Sequence, residues 1–567
     1  MTDRQAEAIL QRQKLLEEIR SPWEDIWQDI ADHILPIRED IRQERREGER
    51  HGTKIYDGSP LSALQLFADG LHGYLISPSF PWFRLQLGLP LHRAPASIRR
   101  YASRFRELDD VPEVRQYLQE TESCLYDAFR RSTFYNAMTP FFEDGGALGT
   151  AYSYSEEDPA TGRTIFLTIH PGECYIAEDR YGQVDVVHRK VRLEARKAVQ
   201  QFGSGAVSDA INEADRNRPF QKFEFLHAVY PRTDRIPGRL DQKNKPIASV
   251  WVDTAERKCV RVSGFDMMPY TVWRYKKSTG ETYGRCPAMF ALADIMGIHQ
   301  ISKTLLGAAH RVSDPAYNVP SELQGKVRLR PGEYNYFGKD HNRVISPVMT
   351  GIQYPVGSDR EQQKRKAIED HFHVDFFLML ARSTRQMTAT EVLERQGEKA
   401  AILGTPIGRL NSETLSPTID RLFWIEYEAG RLPPLPEILL EMGGESIDVD
   451  FLGPLSQAQK RLFRTQNVMN GLEALNPVAG LFPEVLDIID PDETAREILE
   501  SNGYPQKAIR SRKDIEARRE ARAEAERAAL EREQADATAG NLKTLAEADR
   551  ASGGMLSSAA GMEEAGA

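Results

Sequence analysis

Near the start of the chain, apolar residues recur at helical spacing. Trp23, Ile26, Trp27, Ile30 and Ile34 share one helical face, and Ser21-Pro22-Trp23-Glu24 offers an N-cap, a first-turn proline and a capping glutamate. The pattern predicts a helix that starts at Ser21 and stops at Pro36. Ser59-Pro60 predicts a second helix, with Leu64, Phe67, Ala68, Leu71 and Leu75 on its buried side. Both stripes read as core packing. The charged stretch 38–54 between them reads as a solvated loop.

The pattern changes between residues 164 and 275. Short runs at 164–169, 173–176, 184–193, 223–230, 247–252, 259–262 and 270–275 are rich in β-branched and aromatic residues, with a turn at Tyr181-Gly182. They predict a β-rich layer attached to the helical part. Pro287 then opens an apolar helix over 288–312, interrupted only by Asp294, His299, Lys303, His310 and Arg311. Such a helix is roughly 39 Å long. Residues 313–357, rich in Pro and Gly, predict a loop-and-strand insert. A second helix is expected from Ser358, capped by Glu361, to about Leu380. Two long helices around a compact insert suggest a stalk with a small module at its tip.

Thr388-Ala389-Thr390-Glu391 is another capping box and opens a further long helix, which Pro406 must kink or break. Ser416-Pro417 restarts it and Gly430 ends it. Residues 447–451 are strand-like, and 455–500 read as helical. From 513 to 534 the chain is Ala, Glu and Arg with only Ile515 and Leu530 as apolar positions. That composition predicts a solvated helix, not a coiled coil. Residues 551–567 have the composition of a disordered tail. The fold class is α+β, mainly helical.

Composition narrows the function. The 567 residues are 40% hydrophobic and 28% charged, which suits several packed domains. Lys plus Arg number 74 against 84 Asp plus Glu, a net charge of −10 that excludes a globally basic coat for nucleic acid. A local basic lining is still compatible with it. Cys124, Cys174, Cys259 and Cys286 are far apart, so neither a disulfide framework nor a zinc ribbon is expected, and a reducing compartment is. No membrane span and no signal peptide are expected.

The usual catalytic motifs are missing. There is no G-x-x-x-x-G-K-[ST], no G-x-S-x-G and no H-E-x-x-H. The glycine-rich run 145–149 lacks the lysine and hydroxyl of a phosphate loop and reads as a helix end or tight turn. Asp448 and Asp450 share one face of a strand, which could hold Mg²⁺ as in nucleases, although a solvated strand face explains them as well. Glu369 and His373, four apart on a helix, read as an exposed pair. No catalytic, metal-binding or cofactor-binding residue is assigned, and no cofactor is expected.

The basic positions are more informative. Lys326, Arg328 and Arg330 alternate in KVRLR and would share one face of a strand. Arg382 and Arg385 flank the loop after the second stalk helix, and Lys303, Arg311, Lys364 and Lys366 lie on the stalk helices. Singly, each is an ordinary solvated cation. Repeated around an oligomer, they could line a passage for a polyanion.

Taken together, the order of segments resembles the head-to-tail connector, or portal, proteins of short-tailed bacteriophages over roughly residues 10–505. The resemblance is carried by the W-x-x-I-W-x-x-I helix from Trp23 to Pro36, Tyr56-Asp57, and Pro81-Trp82-Phe83. It continues in PYTVWRYKKSTGETYGRCP at 269–287, MTATEV at 387–392 and DFLGPLSQAQK at 450–460. It implies a ring of identical subunits, commonly twelve, around an axial channel, and no enzymatic role. By motif order the wing would be 1–286 plus 389–430, the stem 287–312 and 358–380, and the clip 313–357. The tunnel loop would be 381–388, the crown 431–510, and 511–567 a helical extension that could form a barrel, with a disordered tail.

The resemblance further implies packaging and ejection of double-stranded DNA at one capsid vertex of the virion, after synthesis in the host cytoplasm. Implied partners are a terminase motor, tail adaptor proteins, and the major capsid and scaffolding proteins, with no membrane. Arg382, Arg385, Lys303, Arg311, Lys364 and Lys366 would face the channel, and Lys326, Arg328 and Arg330 would serve clip docking. The alternatives are a packaging nuclease using Asp448 and Asp450, or a structural adaptor without DNA contact.

Overall fold

The computed structural model describes residues 2–35, 41–42, 54–87, 111–236, 239, 241–313, 316–318, 346–347, 354–381, 403–441, 447–453, 475, 488–492, 494–495 and 512–551. The chain forms two compact units, Met1–Leu462 and Phe463–Ala567. Helices and antiparallel sheets alternate in the first, an α+β fold.

The first helix differs from its sequence reading. It runs unbroken over Thr2–His33, with Pro22 inside it, and does not start at Ser21. The buried stripe Ala6, Ile9, Gln13, Leu16, Arg20, Trp27, Ile30 and Ile34 passes straight through the proline. Two of its members are polar, which hides the stripe in the sequence. Gln13 accepts a hydrogen bond from Nδ1 of buried His188 at 3.0 Å. Arg20 donates to the carbonyls of Gly172 at 2.8 Å and Cys174 at 3.0 Å and to the Tyr175 hydroxyl at 2.8 Å. These anchors just before Pro22 hold the helix where the missing N–H would otherwise end it.

A five-stranded antiparallel meander runs Cys174–Glu178, Val184–Glu194, Lys222–Pro231, Ile247–Asp253 and Lys258–Phe265. Its two faces bury alternate residues, as the strand period requires. Leu226, Ala228, Val250 and Val252 meet Ala6 and Ile9 of the first helix. Phe225 and Trp251 meet the short helices Ala195–Phe202 and Asp209–Asn217, which sequence periodicity did not reveal. Eight or nine residues are too few for a stripe to stand out.

A second sheet has the order Thr164–Ile169, Thr150–Glu157, Tyr270–Arg274. Its central strand Thr150–Glu157 was also missed, because TAYSYSEE alternates small polar residues that are nevertheless buried. A third pairing joins Phe83–Leu87 to Ile447–Phe451, with Asp448 opposite Gln86 and Asp450 opposite Arg84. It confirms the strand expected at 447–451.

The helix Ser59–Leu75 buries the predicted side chains. It packs on Phe134–Leu148, whose last residues are the glycine-rich run. Gly145 and Gly146 allow close packing: an added Cβ would lie 2.2 Å from the Trp273 ring or 2.9 Å from Leu64 and Phe67. Gly149 ends the helix at φ +79°, and a Cβ there would meet the Gly284 carbonyl oxygen at 2.2 Å. The run is thus a helix end, as expected.

The long helix Pro287–Ser313 appears as predicted. Its partner begins at Tyr354, earlier than Ser358, and ends at His371. It does not continue unbroken to Leu380: His373 takes φ 55°, and a separate helix Val374–Ala381 turns its aromatic residues into the core. The polar half and the apolar half need different surroundings, and the break lets each have them. In the insert, Tyr317–Asn318 pairs with Ser346–Pro347, and the KVRLR segment lies outside the described residues.

Residues 382–400, with the MTATE capping box, are also outside the described residues. Pro406 sits in the first turn of Gly404–Leu410, where no N–H is needed. Ser416-Pro417 opens the helix Ser416–Glu428 as expected, with the proline in its first turn. The chain continues through a π-turn at Asn411–Leu415 into Ser416–Glu428. Pro417 has no N–H to return to Glu413, and the wider turn accommodates that.

In the second unit the longest described helix is Arg512–Ala551, longer than the 513–534 expected, because the Ala-rich sequence contains no proline before its end. Arg519 clasps Asp492 with two hydrogen bonds of 2.7 and 2.6 Å. Most of 455–500 and all of 552–567 lie outside the described residues.

Gly149→Ala is expected to destabilise the first unit by at least ~2 kcal/mol, from backbone strain plus collision with Gly284. Gly162→Ala, at a similar positive φ but with only a side-chain atom at 3.8 Å, should lose only about 1 kcal/mol. Urea midpoints of the two variants test the difference.

Candidate functional site: the long-helix pair and its base

The helices Pro287–Ser313 and Tyr354–His371 pack antiparallel. Asp294 pairs with Lys364, and Ser302 donates to Glu361 at 2.9 Å. Ala291, Ile295, Ile298 and Ile368 form the apolar seam between and beneath them. Small side chains and isoleucines allow close approach, while the cross-links fix register.

At the base, a polar cluster joins four segments. His299 is buried and donates through Nε2 to the His33 carbonyl at 2.9 Å, at the end of the first helix. Its Nδ1 accepts from the backbone N–H groups of Tyr56 at 3.2 Å and Asp57 at 3.3 Å. These partners require the neutral Nε2–H tautomer. Burial pushes the His299 pKa below the usual histidine range, and neighbouring His33 adds to this, against the pull of the His33 carbonyl.

Asp57 anchors the second long helix. Arg365 reaches its Oδ2 with bonds of 2.7 and 3.1 Å and also holds Glu361 at 2.8 Å. Burial alone would raise the Asp57 carboxyl, but the Ser59 and Arg365 hydrogen bonds outweigh it and hold the acid below its usual range. In the sequence Tyr56-Asp57 carries no role of its own. The structure makes it the socket for His299 and Arg365.

The predicted channel cations divide on this frame. Lys303, Arg311 and Lys366 are exposed on the helix pair. Lys303 lies over the Tyr56 ring, 5.4 Å from its centroid. Lys364 is neutralised by Asp294 across the pair, which makes it a cross-link as well as a surface cation. Arg382, Arg385, Lys326, Arg328 and Arg330 lie outside the described residues.

Asp448 and Asp450 lie opposite Gln86 and Arg84 on the strand pair. Asp448 accepts from its own neighbour's N–H, Val449, at 2.9 Å. Among the described residues, no group of three or more His, Cys, Asp or Glu could hold a metal ion. Nor is any described helix long and apolar enough to cross a membrane. None of Cys124, Cys174, Cys259 and Cys286 forms a disulfide among the described residues.

A second buried network ties the sheets to the π-turn. Arg274 is 1% exposed and bonds Glu413 Oε1 at 2.7 Å, the Gly182 carbonyl at 2.9 Å, and Glu178. Glu413 also accepts from the Arg274 backbone N–H at 3.0 Å and from Arg409. Nothing in the sequence pattern signals these pairings, since positions 178, 274 and 413 are far apart.

Residues 6–509 match the family described as bacteriophage head to tail connecting protein. The chain belongs to that family. The connector is 30% identical over 531 residues to the probable portal protein of Bordetella phage BPP-1, covering 92% of each chain. It is 27% identical over 566 residues to the portal protein of Salmonella phage epsilon15, covering 96% of each. Its function is that of a phage portal, at the connection between head and tail. The connector's long-helix pair sets the exposed Lys303, Arg311 and Lys366 on a cross-linked frame.

The His299 junction should be pH-dependent. The folded connector keeps His299 neutral, while the unfolded chain takes up a proton near the ordinary value of 6.5. The contribution is therefore fully present above that value and is lost as pH falls below it. His299→Gln keeps an acceptor and a donor without titrating. Its urea midpoint should fall less than that of the unmodified chain between about pH 7.5 and 5. Parallel curves would place the pH dependence elsewhere. His299→Ala, which strands two N–H groups and a carbonyl, should lose about 2 kcal/mol.

Proposed function

We propose that this connector assembles into a closed ring, commonly of twelve copies, with double-stranded DNA passing through an axial channel during packaging and ejection. The supporting observation is the helix pair. Its ion pairs and buried base make it stiff, yet it leaves Lys303, Arg311 and Lys366 exposed. Phe290 and Leu306, 45% and 53% exposed on the same helix, need a neighbour to cover them.

In this reading residues 287–312 and 358–380 are the stem, 313–357 the clip, and 381–388 a tunnel loop carrying Arg382 and Arg385. The wing is 1–286 with 389–430, the crown 431–510, and 511–567 an appended helical extension. Lys326, Arg328 and Arg330 would meet a terminase motor or tail adaptor proteins at the clip. Capsid and scaffolding proteins would surround the wing at one vertex of the head, on particles assembled in the host cytoplasm. The connector acts without catalysis of its own, and the motor supplies the work. Repeated cations give sequence-blind, salt-screened contacts, because a moving duplex offers changing bases but a constant phosphate backbone.

Electron microscopy of the purified chain should show hollow rings, and Phe290→Glu with Leu306→Glu should leave dispersed subunits by light scattering. Dispersed unmodified protein across salt and concentration would refute ring assembly. Arg382→Ala with Arg385→Ala should still form rings but change packaged DNA length or retention. Normal packaging and retention in that double variant would remove the tunnel-loop role.

A further inference from the structure

We infer that the cleft between the two larger sheets and the helix Ser416–Glu428 is a carboxylate-binding site built around Arg421. The cleft has a volume of ≈ 250 Å³, and Tyr154, Trp251, Arg261 and Arg421 line it. That space suits a group the size of an amino-acid side chain. The inference is independent of the ring assembly proposed above.

The acids of the cleft are already satisfied. Glu156 accepts from the Tyr154 hydroxyl at 2.7 Å, and Glu157 accepts two bonds of 3.1 Å from Arg431. Lys245 holds Asp266 at 2.5 Å and Glu428 at 3.7 Å. Every acid lining the cleft thus has a donor. Arg421 does not have the converse. It is only 6% exposed, and its Nε has no hydrogen-bond partner. Nη1 reaches the Met267 carbonyl at a long 3.3 Å, and the guanidinium lies 5.0 Å from the Phe265 ring centroid.

The other buried arginines set the contrast. Arg274 has two carboxylates, and Arg20 has three carbonyls, a hydroxyl and Glu24. A buried guanidinium normally needs such partners, because its desolvation is otherwise uncompensated. Arg421 has no carboxylate in direct contact: Glu156, Glu428 and Asp266 act on it only at longer range, burial outweighs them, and the guanidinium faces an open cleft. Arg261, exposed on the neighbouring strand, makes no ion pair among the described residues. Two guanidinium groups at one cleft match a planar carboxylate, which the fork of donors grips in two places. A phosphate dianion is disfavoured relative to a carboxylate, because the four acids lining the same space repel two negative charges more than one. The carboxylate could belong to a free small acid or to a Glu or Asp side chain of a second copy of this chain.

The test uses the full chain with N-acetylglutamate amide as probe, N-acetylglutamine amide as its neutral isostere, and inorganic phosphate as a second anion. Titration calorimetry should show millimolar binding of the glutamate probe and at least about tenfold weaker binding of the other two. Arg261→Gln, at an exposed strand position, should fold normally and lose about tenfold in affinity. Arg421→Met should abolish binding yet keep or raise Tm, since it removes a buried charge whose desolvation the longer-range acids only partly offset. Equal binding of the isostere or of phosphate, or undiminished binding by folded Arg261→Gln, would overturn the site. A drop in Tm on Arg421→Met with probe binding intact would do the same. Probe binding at every protein concentration identifies a free acid as the ligand. Binding lost as copies associate identifies a side chain of a second copy.

Discussion

Arg274 is the interaction on which the first unit's arrangement depends. A guanidinium that is almost wholly out of water must be met by carboxylates and carbonyls, or its desolvation is uncompensated. Here Glu178 comes from the five-stranded sheet, Glu413 from the π-turn, and the arginine itself from the three-stranded sheet. Satisfying one side chain therefore fixes three elements against each other. The π-turn, which accommodates the N–H missing at Pro417, is part of the same solution, because Glu413 lies within it and meets both Arg274 and Arg409.

The same logic operates at the base of the long helices. His299 joins the end of the first helix to the segment before the second, and Arg365 ties that segment to the second long helix through Asp57. Each contact is local, but together they prevent the helix pair from pivoting on its apolar seam alone. An element that must stay straight while a polyanion moves past it benefits from such bracing. In the proposed channel, the cations of the pair would then sit at constant positions.

Glycine has a structural use in this chain. Gly145 and Gly146 let a helix lie against Trp273, Leu64 and Phe67, and Gly149 lets the chain turn beside Gly284. The absence of lysine and hydroxyl from that run was readable in advance, and it correctly separated a packing motif from a phosphate loop. The aromatic neighbours that demand the small residues were not readable, since they come from other parts of the chain.

Local order set much of the fold in the sequence itself. The helices at Ser59–Leu75 and Pro287–Ser313, the seven strands between 164 and 274, and the strand at 447–451 follow from period and punctuation. The family follows from the order of motifs, Tyr56-Asp57 and MTATE among them. Other features had no local signal. The first helix crosses Pro22 because Gln13 and Arg20 are polar members of a buried stripe, and only their distant partners make them buriable. The strand Thr150–Glu157 is polar by composition and central by position. The pairing of Lys364 with Asp294, the socket for His299 and the unpartnered Nε of Arg421 likewise depend on residues far apart in the chain. Sequence determines which segments can be helix or strand, because propensity and period act between near neighbours. Tertiary structure alone decides which polar groups leave water, because burial requires a partner that only the fold can bring.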